Sequence, residues 1–262
     1  MRGRQFGELI VRSTDGLLRS VTDLLLFQTY LVTALIGKHT KYEMDQGITE
    51  AQQLLEEINY TTIKSACYRL MRAGLIVKTK TPTALEIAIT DLGKRRIDAL
   101  FPAYHEKRPW DGHMYLISYD IPTKASSIRD LLRRHIHRAG AALLQESLWV
   151  TPYNPQKLLL DFSKHHHNPG TILVSKLGKD GAIGAEDLTD LLVRIYHLKD
   201  INERYHEFIQ TYKNTRPQSL LPISLAYLSI LKDDPQLPFA LEPENFLGKQ
   251  AYVCYRRLFH LS

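Results

Sequence analysis

The fold is decided by residues 110–154, WDGHMYLISYDIPTKASSIRDLLRRHIHRAGAALLQESLWVTPYN. An apolar strand, HMYLISY, ends at Asp120, and Ser126 or Ser127 can cap the basic helix that follows. The segments ALLQ and LWVTPY then predict two paired strands. A second helix over 155–166 and a further strand, TILVSKL, complete the pattern. The order β-α-β-β-α-β predicts a ferredoxin-like module.

Three helical segments and a strand pair precede this module. The apolar residues over 24–35 predict a first helix, and an amphipathic turn follows Thr49 and ends near Asn59. The segment TTIKSACYRLMRA, residues 61–73, predicts a helix with one apolar face and one basic, aromatic face. Gly74 ends that helix, and LIVKTK and ALEIAIT predict a hairpin. Three helices followed by a hairpin predict a winged helix-turn-helix.

The third helix carries the residue types that bind DNA. A recognition helix fits the major groove and presents donors to bases and phosphates. Residues 60–96 contain eight Lys and Arg side chains against two acidic ones, an excess equal to the net charge of +6 of the whole chain. The predicted contacts to double-stranded DNA are Thr61, Thr62, Lys64, Ser65, Tyr68, Arg69 and Arg72 on this helix, and Lys78 and Lys80 on the wing. The alternative is a charged surface on a small α+β core that binds no DNA.

The chain divides into three predicted parts, and the predicted class is α+β. Residues 1–105 form the winged-helix domain, and residues 110–180 form the ferredoxin-like module after a proline-bearing linker. Residues 185–262 form a helical C-terminal domain, whose first long helix is predicted to break near Lys199 and Asp200.

Composition limits the classes of function. Hydrophobic residues make up 44% and charged residues 24%, which is typical of a globular protein. The longest apolar stretch is too short to span a bilayer and no secretory signal is visible, so we expect a cytoplasmic protein without a membrane partner. Cys67 and Cys254 lack metal-ligand spacing and are predicted to be buried thiols. No Gly-rich phosphate loop or Ser-His-Asp pattern is legible, so we expect neither a cofactor nor an enzyme.

Asp120 carries the alternative function. A carboxylate at the end of a strand can bind a divalent cation for phosphodiester cleavage, or it can shape the turn that Pro122 completes. Asp111 would lie at the opposite end of the strand and Asp130 on the next helix, so no second carboxylate is close in sequence. We predict the turn-forming role, with a metal-dependent nuclease using Asp120 as a metal ligand as the alternative.

Two further sets of residues could contact nucleic acid. Arginines spaced four apart are predicted on the exposed side of the helix after Asp120: Arg129 with Arg133, and Arg134 with Arg138. A solvated surface is the favoured interpretation, and a second track along the DNA backbone is the alternative. Trp110 and Trp149 are predicted to pack in a core or an interface rather than to stack on bases.

Four segments in this order resemble the PaaX-type bacterial transcriptional regulators. They are the winged helix, YLISYDIPTKASSIRDLLRRHIHRAGAALLQESLWVTPYN, LLVRIYHLKDINERYHEFI and DPQLPFALEPENFLGKQAY, and together they cover nearly the whole chain. The resemblance implies a repressor that binds DNA through the winged helix, dimerises through the ferredoxin-like module and is released by a small effector such as an acyl-CoA. A homodimer presents two recognition helices about one DNA turn apart, so we expect a near-palindromic operator.

The middle segment is also similar to the small ferredoxin-like subunit of CRISPR adaptation complexes. In that family a strand-end aspartate matching Asp120 has been implicated in metal-dependent nuclease activity, but kinship of fold does not carry chemistry with it. A nuclease or a non-enzymatic CRISPR adaptation partner is therefore the alternative to a regulator. The chain departs from the regulator pattern at Ile195, Tyr196 and His197, where family members often have Trp, so the ligand end is expected to differ.

Overall fold

The computed structural model describes residues 10–11, 14, 16–35, 60–80, 85–166, 170–177, 187–214 and 220–260. Helices and two antiparallel sheets both occur, which confirms the α+β class. None of the helices in these ranges is long and apolar enough to cross a membrane.

The helices and strands of the described residues follow this order along the chain. They are α1 (Val21–Leu35), α2 (Tyr60–Arg72), β1 (Ile76–Lys80), β2 (Leu85–Ile89), α3 (Asp91–Leu100), β3 (Met114–Asp120), α4 (Ser126–Arg138), β4 (Ala142–Gln145), β5 (Leu148–Thr151), α5 (Gln156–His165), β6 (Thr171–Leu177), α6 (Leu188–Ile195), α7 (Leu198–Tyr212), α8 (Leu220–Asp233) and α9 (Gly248–His260). Short 3-10 turns lie at Thr123–Ala125 and Phe239–Leu241.

The chain forms two compact units. Unit 1 comprises residues 1–104, 203–233 and 247–262, and unit 2 comprises residues 105–202 and 234–246. Residues 185–262, predicted as a separate helical domain, therefore contribute to both units. That the three predicted domains fold independently stays a prediction.

Unit 1 has its core around α1. This helix begins after Ser20, whose hydroxyl accepts from the Asp23 backbone N–H at 3.1 Å and so satisfies a donor of the first turn. Helix α1 contacts α2, β2, α3 and α8. Its Phe27 is buried, with its ring centroid 4.3 Å from that of Phe101. The helix predicted between Thr49 and Asn59 lies outside the described residues, so the winged helix-turn-helix as a whole stays a prediction.

Unit 2 is built on a four-stranded antiparallel sheet in the order β4-β5-β3-β6. Each helix, α4 and α5, connects two of these strands, so the predicted β-α-β-β-α-β order is confirmed. In the central register, Ile117 on β3 lies between Trp149 on β5 and Val174 on β6. One face of the sheet packs against both helices. Its buried cluster consists of Ile117, Tyr119, Ile121, Leu132, Ile136, Ala141, Trp149, Leu159 and Phe162.

The break predicted in the first long helix of residues 185–262 is present, two to three residues before Lys199 and Asp200. Helix α6 ends at Ile195 and α7 begins at Leu198. Between them His197 adopts a positive φ of 54°, a left-handed conformation that no helical residue can share. The periodicity of apolar residues continues across this point, which is why spacing alone did not give the exact residue of the break.

Candidate nucleic-acid interface

Helix α2 has one buried side and one exposed side. Ala66 and Leu70, four residues apart, are 0% and 1% exposed, and α2 packs on α1. Residues spaced by four lie above one another on a helix, so these two fix which side of α2 faces the core. Cys67 is half-buried beside them, and burial raises the pKa of its thiol. Ile63 and Met71 are also half-buried, so these positions flank the buried side of α2.

The exposed side of α2 presents most of the predicted DNA contacts. Thr62 is half-buried, the side chain of Lys80 lies outside the described residues, and the other seven predicted contacts are exposed: Thr61, Lys64, Ser65, Tyr68, Arg69, Arg72 and Lys78. Within the described ranges, Lys64, Arg69, Arg72 and Lys78 form no ion pair. Their charges are therefore available to an anionic partner. Their role in DNA binding stays a prediction.

The hairpin that follows α2 is fixed to the rest of unit 1 at its base. Ile76 and Ile89, which are register partners, are buried there, while Lys78 further along β1 is exposed. Thr90 joins the base to α3, because its hydroxyl donates to the Gly74 carbonyl at 2.7 Å and accepts from the Gly93 N–H at 3.1 Å. The buried Ile76–Ile89 pair and the hydrogen bond from Thr90 to Gly74 thus hold the base of the hairpin that carries Lys78.

Gly93 lets α3 approach this base closely. A Cβ at Gly93 would lie 2.2 Å from the Leu75 carbonyl oxygen and 2.6 Å from Ile89 Cγ1. No side chain fits at those distances. The glycine therefore brings α3, with its exposed Lys94 and Arg95, next to the base of the wing.

Asp120 is exposed at the end of β3, where its backbone is held closely. It pairs with Thr171 on β6, and a Cβ at the neighbouring Gly170 would lie 2.0 Å from the Asp120 carbonyl oxygen. Arg129 donates to the Ile121 carbonyl at 2.6 Å. Across the described ranges, no three His, Cys, Asp or Glu side chains are grouped so that they could hold a metal ion. These contacts suit a turn-forming residue, and the metal-ligand role of Asp120 stays untested.

Of the four arginines expected on the exposed side of α4, Arg133, Arg134 and Arg138 are exposed, and the expectation is wrong for Arg129. Arg129 is half-buried and held by the Ile121 carbonyl, and Arg133 Nε donates to the Tyr119 hydroxyl at 2.8 Å. Only Arg134 and Arg138 are exposed without such a contact among the described residues. Arg129 and Arg133 both contact residues at the end of β3. Their spacing of four residues predicted that they share one side of the helix, but not what that side contacts.

The two tryptophans pack inside unit 2. Trp149 is 6% exposed in the core cluster. Trp110 is half-buried, and its Nε1 donates to the His113 carbonyl at 2.8 Å. Neither ring is presented for stacking on a base.

Residues 195–197, where the sequence departs from the regulator pattern, contact the sheet of unit 2 through Tyr196. The buried Tyr196 hydroxyl lies between two carbonyl oxygens, 2.8 Å from that of Gly140 and 3.1 Å from that of Val150. Burial raises the pKa of this phenol, which keeps it protonated. Tyr196 thus ties the end of α6 to the sheet of unit 2.

A buried ion pair in unit 2 was not predicted. The Arg108 side chain is 2% exposed, and its Nη1 lies 2.5 Å from Glu242 Oε1. The same guanidinium donates to the carbonyls of Leu237 and His105 at 3.0 and 3.1 Å and lies 4.6 Å from the centre of the Phe239 ring. Burial raises the pKa of Glu242, while the charge of Arg108 lowers it in part.

A second contact fastens the same segment. The side-chain oxygen of Gln236 accepts from the His105 backbone N–H at 2.7 Å. The backbone carbonyl of Gln236 accepts from the Tyr153 hydroxyl, also at 2.7 Å. Residues 234–246 are thereby built into unit 2. Glu242 lies in the proline-bearing run DPQLPFALEPENF, and its partner Arg108 is 134 residues away, so no local pattern in the sequence links the two.

The ferredoxin-like module of unit 2 is similar to a domain of a known protein family. Residues 107–176 match the PaaX protein central Cas2-like domain. The resemblance to PaaX-type regulators is thereby confirmed over the ferredoxin-like module, about a quarter of the chain. The comparison with curated proteins found no match.

A solved structure extends the similarity beyond the central module. The uncharacterized protein Rv0674 from Mycobacterium tuberculosis matches with a TM-score of 0.53 and 20% sequence identity. The match covers 88% of this chain and 93% of that one. At this identity the match concerns the fold alone.

Proposed function

We propose that this protein is a sequence-specific DNA-binding regulator of transcription. One observation carries the proposal: α2 buries Ala66 and Leu70 against α1 and exposes Lys64, Arg69 and Arg72 on the other side. An exposed basic helix followed by a hairpin is the arrangement that places donors in the major groove and a wing on the adjacent backbone.

The match to a PaaX domain supports the finer features of the proposal. PaaX-type regulators are DNA-binding proteins, so we propose a repressor that acts in the cytoplasm without enzymatic activity. It would act as a homodimer on a near-palindromic operator, because two related recognition helices contact successive turns of DNA. Release by a small effector such as an acyl-CoA is part of the same proposal.

The proposal is tested by selecting duplexes from random and genomic DNA with the purified protein. A Lys64→Ala, Arg69→Ala variant should bind the selected site at least about thirty-fold more weakly, because each lost contact to a base or phosphate costs about 1 kcal/mol or more. The matched control is Lys199→Ala with Lys249→Ala, which removes two exposed lysines elsewhere and should bind normally.

Three results would count against the proposal. The first is that no duplex is enriched, and the second is that both double variants bind equally well. The third is cleavage of nucleic acid in magnesium or manganese that disappears in Asp120→Ala, which would establish the nuclease alternative instead.

A further inference from the structure

Tyr68 is an exposed aromatic residue on α2. Its side chain is 63% exposed, although α2 has a buried side on which an aromatic ring could pack. Among the described residues, none forms a hydrogen bond with its hydroxyl. The ring therefore projects from the same surface as the basic residues of the helix.

Lys64 and Arg72 lie symmetrically about Tyr68. They precede and follow it by four residues, so all three share one side of α2. At 1.5 Å per residue, the eight residues from Lys64 to Arg72 correspond to about 12 Å along the helix axis. The major groove of B-DNA is also about 12 Å wide. The two cations can therefore reach phosphates on opposite walls of a groove while Tyr68 faces its floor.

The chemistry of the phenol ring limits what it can recognise on that floor. The phenol side chain carries no cationic group, so it gains less from a phosphate than Lys64 or Arg72 does. Its ring edge is apolar, and the apolar group that bases present in the major groove is the C5-methyl of thymine. The hydroxyl at its tip can add a hydrogen bond to a neighbouring base edge.

We propose that Tyr68 is a specificity-determining residue that contacts the C5-methyl group of a thymine, while Lys64 and Arg72 bind the flanking phosphates. This inference rests on the proposed DNA-binding function and assigns separate roles within the same helix. It requires that Tyr68 contribute to the choice of sequence, whereas Lys64 and Arg72 contribute to affinity for any sequence.

The test combines a protein substitution with a change of one DNA group. Sites are selected with the parent protein and with Tyr68→Ala, and the base pairs at which the variant loses its preference are identified. Each thymine at those positions is then replaced by deoxyuridine, which removes only the methyl group. Binding of both duplexes is measured for the parent, Tyr68→Ala, Tyr68→Phe and Arg72→Ala, with circular dichroism to verify that each variant is folded.

A methyl contact predicts a specific pattern across these proteins. The parent and Tyr68→Phe should lose about four-fold in affinity for each contacted thymine that becomes deoxyuridine, the equivalent of one buried methyl group per half-site. Tyr68→Ala should show no such loss, and Arg72→Ala should keep it while binding all sequences more weakly.

Other patterns overturn the inference. A deoxyuridine effect that persists in Tyr68→Ala contradicts it, as does a Tyr68→Ala variant with unchanged base preference. Enrichment of sites without a thymine at the affected positions also contradicts it. Failure of the DNA-binding proposal looks different, because the parent protein then enriches no duplex at all.

Discussion

Replacing Arg108 by methionine should destabilise unit 2 strongly. The substitution keeps most of the side-chain volume but removes the guanidinium that contacts Glu242 at 2.5 Å and the carbonyls of His105 and Leu237. With the Arg108 side chain 2% exposed and that of Glu242 13% exposed, water cannot replace these contacts. Removing one partner of a buried pair leaves the other charge uncompensated, at a cost of about 3 to 5 kcal/mol.

A second pair of nearly the same length serves as the control. Arg204 Nη1 lies 2.6 Å from Asp233 Oδ2, but the two side chains are 36% and 52% exposed. For such a pair the expected loss in Arg204→Met is about 1 kcal/mol or less. The comparison tests burial rather than distance as the origin of the effect.

Urea unfolding measures both effects. The two tryptophans, Trp110 and Trp149, lie in unit 2, so their fluorescence follows the unit that contains Arg108. Far-UV circular dichroism follows the helices of both units and reports on Arg204→Met. A loss below about 1 kcal/mol in Arg108→Met, or equal losses in the two variants, would refute the reasoning.

The pH dependence gives this prediction a second readout. Burial already raises the pKa of Glu242, and loss of the Arg108 charge should raise it further. A carboxyl with a raised pKa in the folded state binds more protons there than in the unfolded state, so its contribution to stability falls as pH rises. The difference between the parent protein and Arg108→Met should therefore grow as pH rises from the ordinary carboxyl range towards 7. A stability difference between the two proteins that does not change with pH would contradict the further rise in the pKa of Glu242.

Three further substitutions test local contacts. Gly93→Ala should destabilise unit 1 by about 1 to 3 kcal/mol, because its Cβ would lie 2.2 Å from the Leu75 carbonyl oxygen, and a thermal melt like that of the parent would show that α3 packs differently. Thr90→Ala should cost about 1 kcal/mol through loss of the α3 cap, with Thr90→Ser as the control that keeps the hydroxyl and most of the stability. Tyr196→Phe should cost about 0.5 to 1.5 kcal/mol in urea unfolding, since the carbonyls of Gly140 and Val150 lose their donor, and an unchanged midpoint would argue against these hydrogen bonds.

Local patterns predicted the elements of the central module well. TILVSKL is β6, and the predicted apolar strand HMYLISY forms β3, with Met114, Tyr115, Ile117 and Tyr119 buried. The apolar spacing of α2 similarly placed Ala66 and Leu70 in the core. These features depend on neighbours within a few residues, which a sequence displays directly.

Long-range contacts could not be predicted in this way. The joining of Arg108 to Glu242, and of His105 to Gln236, depends on chain segments about 130 residues apart. Arg129 shows that helix spacing does not predict even a contact over eight residues, because its side chain donates to the Ile121 carbonyl, which lies before the helix begins. Sequence spacing predicts which side of a helix a residue occupies. Tertiary packing determines which other residues that side contacts.

The dependence of DNA affinity on salt tests the central claim most directly. The described surface of α2 and β1 exposes four cations per protomer, Lys64, Arg69, Arg72 and Lys78, or eight in a dimer. If all of them neutralise phosphates, the logarithm of the binding constant for the selected duplex should fall with the logarithm of salt concentration with a slope of about −7. Lys64→Ala with Arg69→Ala should reduce this slope by about half, and Lys199→Ala with Lys249→Ala should leave it unchanged. A slope near zero, or one that neither double variant alters, would contradict the account.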